Sequence, residues 1–327
     1  MLSIAPMIDW TNMHFRVLMR LLAPKALLYT EMQTPNAIQH QPARALERHH
    51  SESSVALQLG GSDPALLAIA AKQGEAAGFT EINLNLGCPS PRVLAGNFGA
   101  SLMTQAALVS DCIKAIKQAV SIPVTAKTRI GVDNQDGYAF FEGFINTLIN
   151  SGCDKLIVHA RKAWLSGLNP KQNRTIPPIN YDYVYRIKST LPPHIPVIIN
   201  GHIEDINAIQ THLKILDGVM IGRLACRDPY AIATIHHALY PSISKPSRCD
   251  VLEAYFSYAA TQKTAPISIL FKPILNLVHG LPGARAFKQD LLAIKTIPNN
   301  PAISDLVQKL SAMERALDGF SAPNLVN

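Results

Sequence analysis

The sequence lacks long apolar runs, and its cysteines are few and scattered. No window of the 327 residues reaches about 18 uninterrupted apolar residues, so no membrane span is expected. The 5 cysteines form no CxxC pair and no Cys/His cluster with metal-ligand spacing, which argues against a disulfide framework and predicts no bound metal. A reduced cytoplasmic compartment fits this usage best. The cysteines are Cys88, Cys112, Cys153, Cys226 and Cys249.

The sequence also shows no internal repeat and no dinucleotide-binding glycine motif, and we expect no leader peptide. The first candidate strand begins at Leu2, which leaves no room for a signal or transit peptide. No internal repeat or low-complexity segment occurs, and no GxGxxG motif follows the first strand, which disfavours an open doubly wound sheet. No dimer interface can be read from the sequence, and we expect a monomer.

Positive charge is in excess, with 30 Lys and Arg against 23 Asp and Glu, a net charge of +7. This balance permits nucleic-acid binding, but it is equally typical of an ordinary basic protein. The hydrophobic share of 48% suffices for a large core. A chain of this length is expected to form one domain of about 250 residues and a smaller one.

Short apolar strands alternate with amphipathic helical segments from residue 2 to about 240. Eight such alternations predict a closed parallel (β/α)₈ barrel, a TIM barrel of the α/β class. The strands are predicted at residues 2–6, 27–31, 55–59, 81–85, 124–129, 155–159, 197–200 and 218–221.

The last part of the chain shows no strand alternation and is expected to be helical. We predict a catalytic barrel over residues 1–241, a linker at about 242–247, and a small helical domain over 248–327. Helices are predicted there at residues 251–262, 268–278, 284–294 and 303–317.

The fourth predicted strand ends in an unusual polar set. Asn83 and Asn85 precede Cys88. The side-chain amides of the two asparagines can hydrogen-bond a planar polar ring, and the thiol of Cys88 can exchange a proton with it. No lysine or histidine flanks Cys88, so we interpret it as a proton donor rather than a thiolate nucleophile. The alternative is a small core residue. Residues 90–100, with two glycines, are expected to form a mobile loop.

Polar side chains also occur within or at the ends of other predicted strands, where a barrel carries its functional groups. Lys127 needs a partner, either the N1/C2=O edge of a flavin or a structural carboxylate. Gln58 can bind a flavin edge or satisfy barrel backbone. His159 is a candidate general acid or a phosphate or flavin contact, or it is structural.

Two further groups of residues suggest anion binding. Glycines after strands 7 and 8, in Asn200-Gly201 and Gly222-Arg223, can bring backbone N–H groups to a phosphate, or they are ordinary strand ends. The region 161–174 contains no acidic residue, and it is interpreted as a surface for phosphate backbone or as a solvated loop. Its basic residues are Arg161, Lys162, Lys171 and Arg174.

These residues occur in motifs that together resemble the tRNA-dihydrouridine synthases, most closely their A-type bacterial branch, over nearly the whole chain. The motifs are APMIDWT at 5–11, LYTEM at 28–32, ALQLGG at 56–61, EINLNLGCPS at 81–90, KTRIG at 127–131 and HARKAWLSG at 159–167. The resemblance implies an FMN-dependent barrel followed by a helical tRNA-binding domain. NADPH, or NADH, would reduce the flavin, a hydride would reach C6 of a flipped-out uridine at position 20 or 20a of the D-loop, and the cysteine would protonate C5.

The resemblance also implies roles for individual residues. The catalytic residue would be Cys88. The cofactor would be bound by Pro6, Met7, Ile8, Gln58, Lys127, His159, Asn200, Gly201, His202, Gly222 and Arg223. The tRNA would be bound by Asn85, Arg161, Lys171, Arg174, Arg285 and Lys288.

Two positions depart from the family pattern. His202 stands where a second glycine is usual, and it would be strained if the site needs a positive φ there. Lys288 stands where an arginine is commoner, which gives up forked hydrogen bonding. The competing hypotheses are an FMN barrel that acts on a free pyrimidine and a non-catalytic tRNA-binding protein.

Overall fold

The eight apolar segments form parallel strands that pair in chain order. The computed structural model describes residues 1–297 and 301–321, and within these residues the eight strands close into a barrel from β1 round to β8. The strands are β1 Leu2–Ile4, β2 Leu27–Tyr29, β3 Val55–Leu59, β4 Glu81–Leu86, β5 Val124–Arg129, β6 Lys155–His159, β7 Val197–Asn200 and β8 Gly218–Ile221. The predicted (β/α)₈ barrel is therefore confirmed.

Helices connect the strands and continue after the last of them. Several begin with the expected caps: Asp63 accepts a hydrogen bond from the Leu66 N–H at 2.9 Å, just before a proline in the first turn. The helices are α1 Met13–Leu22, α2 Pro35–His40, α3 Pro42–Ala45, α4 Pro64–Ala76, α5 Pro91–Ala95, α6 Ala106–Ala119, α7 Tyr138–Asn150, α8 Asp182–Thr190, α9 Ile206–Leu213, α10 Arg223–Arg227, α11 Pro229–Leu239, α12 Arg248–Ala260, α13 Ile267–Phe271, α14 Ala284–Ala293 and α15 Pro301–Ser321. No helix among the described residues is long and apolar enough to cross a membrane.

The polar side chains of β4 point into the barrel. Glu81 on β4 contacts Tyr29 of β2 and Lys155 of β6, and neither strand is adjacent to β4, so these contacts cross the barrel interior. Because side chains alternate along a strand, the leucines and isoleucine of β4 face outwards. In agreement, a Cβ added at Gly74 of α4 would lie 3.2 Å from Ile82 Cδ1.

The packing divides the chain into two compact units. The first comprises Met1–Thr11 and Ala26–Gly222, and the second comprises Asn12–Lys25 and the described residues from Arg223 onwards. In the second unit α1 contacts α12, where His14 Nδ1 lies 2.6 Å from the hydroxyl of Tyr258. The division of the sequence into a barrel domain and a helical domain at about 242–247 stays a prediction.

The expectation of a loop over residues 90–100 is wrong. Ser90 stands at the N-cap of α5 and a proline occupies its first turn, a combination that starts helices. Gly99 begins a 3₁₀ turn with φ +73°, and a Cβ there would lie 2.5 Å from the carbonyl oxygen of Cys88. Glycine is therefore required where this segment passes the cysteine.

Candidate active site

The carboxyl ends of β3 to β7 bring most of the predicted polar residues to one rim. Strand register pairs Asn85 with Lys127, Arg129 with His159, and His159 with Asn200. Because these pairs are neighbours across four consecutive strands, their side chains form one continuous polar arc. This is the end of a barrel at which such folds carry their sites.

Cys88 lies on a turn that hydrogen bonds hold from two sides. The side-chain oxygen of Asn85 accepts from the N–H groups of Gly87 at 3.1 Å and Cys88 at 3.0 Å. On the other side Arg129 Nε donates to the carbonyl of Gly87 at 3.1 Å. The thiol-bearing residue is half-buried, so it is both fixed and reachable.

Three amides behind this turn are linked in series. Gln58 Nε2 donates to Asn83 Oδ1 at 2.8 Å, and Asn85 Nδ2 donates to Gln58 Oε1 at 2.9 Å. Asn83 is 0% exposed and uses its own Nδ2 on Thr125, so it lies below the rim and does not face a bound ring as expected. Each of Gln58 and Asn85 keeps one further N–H, and their contacts to cofactor and nucleotide stay predictions.

Lys127 has an amide partner and no carboxylate. Its Nζ donates to Asn200 Oδ1 at 3.1 Å, and Asn200 Nδ2 donates to the carbonyl of Met220 at 2.8 Å. Burial, and after it the positive charge of Arg129, lower the pKa of Lys127 to about 7, while Cys88 opposes the shift. No acidic side chain in the described chain pairs with it, so the interpretation as a structural ion pair is wrong.

Positive charge gathers around this lysine. Burial lowers the pKa of Arg129, Cys88 opposes this shift and the charge of Arg174 adds to it, which together give a pKa of about 10. Burial also holds the pKa of His159 well below its ordinary value, and the nearby cations reinforce the shift. A cluster of cations without acids is stabilised by a bound anion.

The loop after β7 contains two consecutive residues with positive φ, Gly201 and His202. Gly201 has φ +118°, and a Cβ there would lie 2.8 Å from His159 Cδ2, so only glycine fits. His202 has φ +53°, the left-handed conformation that costs a histidine roughly 1 kcal/mol. Gly222 is uncrowded, since a Cβ there would meet only Ala5 at 3.8 Å.

The turn after β1 presents an apolar edge. The Met7 N–H donates to Thr11 Oγ1 at 3.0 Å, and the Met7 carbonyl accepts from two N–H groups of the same turn. Pro6 and Met7 are half-buried, whereas Ile8 is 51% exposed. An apolar edge together with the neighbouring cations Lys127 and Arg129 is suited to the isoalloxazine ring and the phosphate group of a flavin nucleotide.

No role was predicted for Arg129 or Asn173, yet these two residues organise the basic loop. Arg129 Nη1 donates to the carbonyls of Lys162 at 3.1 Å and Asn173 at 2.9 Å. The buried amide of Asn173 accepts from the Trp164 N–H at 2.7 Å and donates to the Trp164 carbonyl at 2.9 Å. The same guanidinium therefore holds the Cys88 turn and this loop.

The four cations of that loop differ in what they offer. Lys162 pairs with Asp136 at 2.6 Å and lies 4.2 Å from the ring centre of Trp164. Arg161 is buried and donates to the carbonyl of Pro177. Lys171 and Arg174 are exposed. These two are the loop cations best placed to meet a polyanion.

The remaining predicted residues lie in the second unit. Lys288 and Arg285 are on α14, where Lys288 Nζ donates to Asn276 Oδ1 at 2.9 Å and Arg285 is exposed. Arg223 is the exposed first residue of α10. Their predicted roles stay predictions. Among the described residues, no group of three or more His, Cys, Asp or Glu side chains is arranged to hold a metal ion.

The amino-acid sequence is similar to those of curated proteins. The tRNA-dihydrouridine(20/20a) synthase of Xanthomonas campestris pv. campestris is 49% identical over 293 residues, which cover 89% of this chain and 87% of the relative. The tRNA-dihydrouridine(20/20a) synthase of Shewanella oneidensis is 48% identical over 292 residues, which cover 88% of this chain and 87% of the relative.

A solved structure agrees in fold alone. Morphinone reductase in complex with tetrahydroNAD superposes with a TM-score of 0.50 at 12% identity, covering 75% of this chain and 88% of that chain. The sequence itself matches the family described as Dihydrouridine synthase (Dus) over residues 3–313. This match spans most of the chain and includes the Cys88 turn, the cationic rim and the basic loop. The chain therefore belongs to the dihydrouridine synthase family.

Proposed function

We propose that this chain is an oxidoreductase that reduces the C5=C6 bond of a uridine in the tRNA D-loop, at position 20 or 20a, to 5,6-dihydrouridine. Membership in the family and the names of the relatives support this reaction. The observation that carries it is the half-buried residue Cys88 on a turn held from two sides, beside the cations Lys127 and Arg129.

FMN is the cofactor that the site fits. Pro6, Met7 and Ile8 would cover an apolar face, and Gln58 would donate its remaining N–H to the ring edge. The phosphate end would be held by His159, Asn200, Gly201, His202, Gly222 and Arg223. When bound, FMN supplies the hydride, which no side chain can provide. NADPH is the proposed source of electrons, with NADH as the alternative.

Lys127 would supply positive charge beside the bound cofactor. Its pKa of about 7 leaves the ammonium easily deprotonated in the free protein, since no acid compensates its burial. An anion bound beside it raises that pKa and keeps the ammonium protonated. Lys127 thus supplies positive charge where the bound group becomes negative, while its bond to Asn200 fixes its direction.

Cys88 would deliver the proton. Reduction at C6 of uracil leaves enolate character at C5, and a thiol held nearby can quench it as a general acid. The bonds from Asn85 and Arg129 keep the turn from rotating, so that the thiol stays aimed at one point. Precise placement of such a group is worth orders of magnitude in rate.

The tRNA backbone would be bound by cations outside the mouth of the barrel. The target base must leave its stack to reach the site. Lys171 and Arg174 would bind phosphates of the RNA backbone, and Arg161, Arg285 and Lys288 complete the proposed set. The exposed cations favour tRNA over a free pyrimidine, which needs no such surface. We further propose that the protein acts as a monomer in the cytoplasm.

The first test is a visible spectrum followed by a titration. We expect a flavin band that bleaches with NADPH and recovers on adding unmodified tRNA, with dihydrouridine appearing at position 20 or 20a. Cys88→Ala should keep FMN and its reduction by NADPH but lose most dihydrouridine formation. Reoxidation by a free pyrimidine and not by tRNA would favour the metabolic rival. Equal turnover by Cys88→Ala would remove the thiol from the reaction.

A further inference from the structure

A continuous chain of hydrogen bonds runs through the barrel interior from an ion pair on β4 and β6 to the Cys88 turn. At its start Glu81 pairs with Lys155. Both are buried, and both come from the first positions of their strands, opposite to the rim. The successive links are Thr125 Oγ1 to Glu81 Oε1 at 2.6 Å, Asn83 Nδ2 to Thr125 Oγ1 at 2.8 Å, Gln58 Nε2 to Asn83 Oδ1 at 2.8 Å, Asn85 Nδ2 to Gln58 Oε1 at 2.9 Å, and Cys88 N to Asn85 Oδ1 at 3.0 Å.

Every side chain in this series of hydrogen bonds is buried. The exposed fractions run from 0% for Thr125 and Asn83 to 9% for Asn85. A bond that is not made therefore leaves a buried polar group without its partner in the protein, which costs free energy. The links are mutually dependent, because each group is fixed by the one before it.

The donor-to-acceptor direction of the hydrogen-bond series is determined at both of its ends. A carboxylate only accepts, so Thr125 must donate to Glu81 and can offer Asn83 only a lone pair. Asn83 must then present its oxygen to Gln58, and each following amide has a single orientation. At the other end the backbone N–H of Cys88 only donates, which demands the oxygen of Asn85. Both ends require the same orientation of all three amides.

We propose that Glu81 and Thr125 are positioning residues for Cys88, acting over the length of β4 through the oriented amides. This inference rests on the proposed function, in which Cys88 is the proton donor. A carboxylate at one end of the barrel sets the rotamer of Asn85 at the other, roughly 13 Å along the strand. The turn with the thiol is built on that rotamer. The same orientation leaves Asn85 with an N–H, and not an oxygen, to offer the substrate.

The barrel supplies a matched pair of variants for testing this. Tyr29 and Thr125 each donate a hydroxyl to the same oxygen, Glu81 Oε1, at 2.8 Å and 2.6 Å. Both are buried, but only Thr125 continues the chain towards Cys88. Tyr29→Phe and Thr125→Val each remove one hydroxyl and keep the shape. Thr125→Ser restores the hydroxyl and serves as the rescue variant.

The measurements are made on the full-length, FMN-loaded protein. Iodoacetamide alkylation of Cys88, followed by mass spectrometry without tRNA, reports on the turn itself. Burial raises the pKa of Cys112 and Cys249 to about 11 and of Cys153 to about 12, so these thiols compete weakly. Steady-state turnover of unmodified tRNA gives kcat and KM, and thermal unfolding gives Tm.

We expect Thr125→Val and Tyr29→Phe to lower Tm by comparable amounts. Thr125→Val should in addition speed alkylation of Cys88 about threefold or more, since its turn is loosened. It should lower kcat roughly ten- to a hundredfold with little change in KM, because a displaced general acid affects the chemical step. Thr125→Ser should recover most of both, and Tyr29→Phe should stay close to wild type in both.

Equal alkylation and kcat in Thr125→Val and Tyr29→Phe would overturn the proposal, because the hydroxyls would then be merely structural. A loss in Thr125→Val that Thr125→Ser fails to recover would overturn it as well. Failure of the wild type to form dihydrouridine would instead count against the proposed function. The alkylation comparison would still decide whether the amide chain controls the Cys88 turn.

Discussion

Replacing Arg129 with lysine removes the geometry of one buried guanidinium and keeps its charge. Arg129 is 3% exposed and donates to the carbonyls of Gly87 at 3.1 Å, Lys162 at 3.1 Å and Asn173 at 2.9 Å. A lysine ammonium has no planar fork and can keep at most one of these widely separated bonds. Any loss in Arg129→Lys therefore comes from geometry and not from net charge.

The magnitude follows from the bonds removed. A hydrogen bond from a charged donor contributes about 1.5–3 kcal/mol, so losing two costs about 3 kcal/mol at the low end. The free energy of unfolding of a native domain is about 5–15 kcal/mol, so the variant should still fold. The loosened elements are the Cys88 turn and the basic loop. We therefore expect both kcat and tRNA affinity to fall, each roughly tenfold or more.

Urea unfolding, tRNA binding and turnover together test this expectation. The control is Arg186→Lys, the same exchange at an exposed arginine whose guanidinium lies 3.7 Å from the ring centre of Tyr138. Arg186→Lys should change stability and turnover little. If Arg129→Lys matches this control in unfolding free energy, kcat and tRNA Kd, the three carbonyl contacts hold nothing and the reasoning is refuted.

Two further predictions concern charge at the mouth of the barrel. Lys171→Ala and Arg174→Ala should each weaken tRNA binding and reduce the slope of log Kd against log salt by about one, as for the loss of one phosphate contact, whereas an unchanged salt slope would mark a solvated loop. The folded-state pKa of Lys127 is about 7 against about 10.4 in an unfolded chain, so the unfolded state binds more protons between these values. The unfolding free energy of the cofactor-free protein should therefore rise from pH 7 to pH 10 relative to Lys127→Met in paired urea titrations, and parallel curves for the two proteins would contradict the shift.

The barrel and much of its rim could be predicted because they depend on local pattern. Strand alternation located all eight strands, and the rule that sites lie at strand carboxyl ends selected Lys127, His159 and Asn200. The register then placed these residues on neighbouring strands. Even the departure at His202 has a structural counterpart, since its φ of +53° is the conformation that a glycine would adopt without strain.

The partners of these residues could not be predicted, because they come from distant parts of the chain. The region 161–174 lacks acids in sequence, yet Lys162 is paired with Asp136 from a preceding segment. Arg129 follows Lys127 by two residues, which places both on the inner face of β5, and that spacing was the available signal for its role. Its carbonyl partners carry no signal, because every residue has a carbonyl.

The pattern of β4 carries a more general lesson about barrels. Ile82, Leu84 and Leu86 alternate with Glu81 and the two asparagines, and all six residues are buried. In a parallel barrel both faces of a strand are covered, so alternation alone does not say which face is inside. The outer face must be apolar, because helices pack on it and offer few polar partners. The inner face can be polar provided that every group is satisfied, which here takes an ion pair and a directed series of amides. Polar alternation in a buried barrel strand therefore points inwards, towards the groups that position the chemistry.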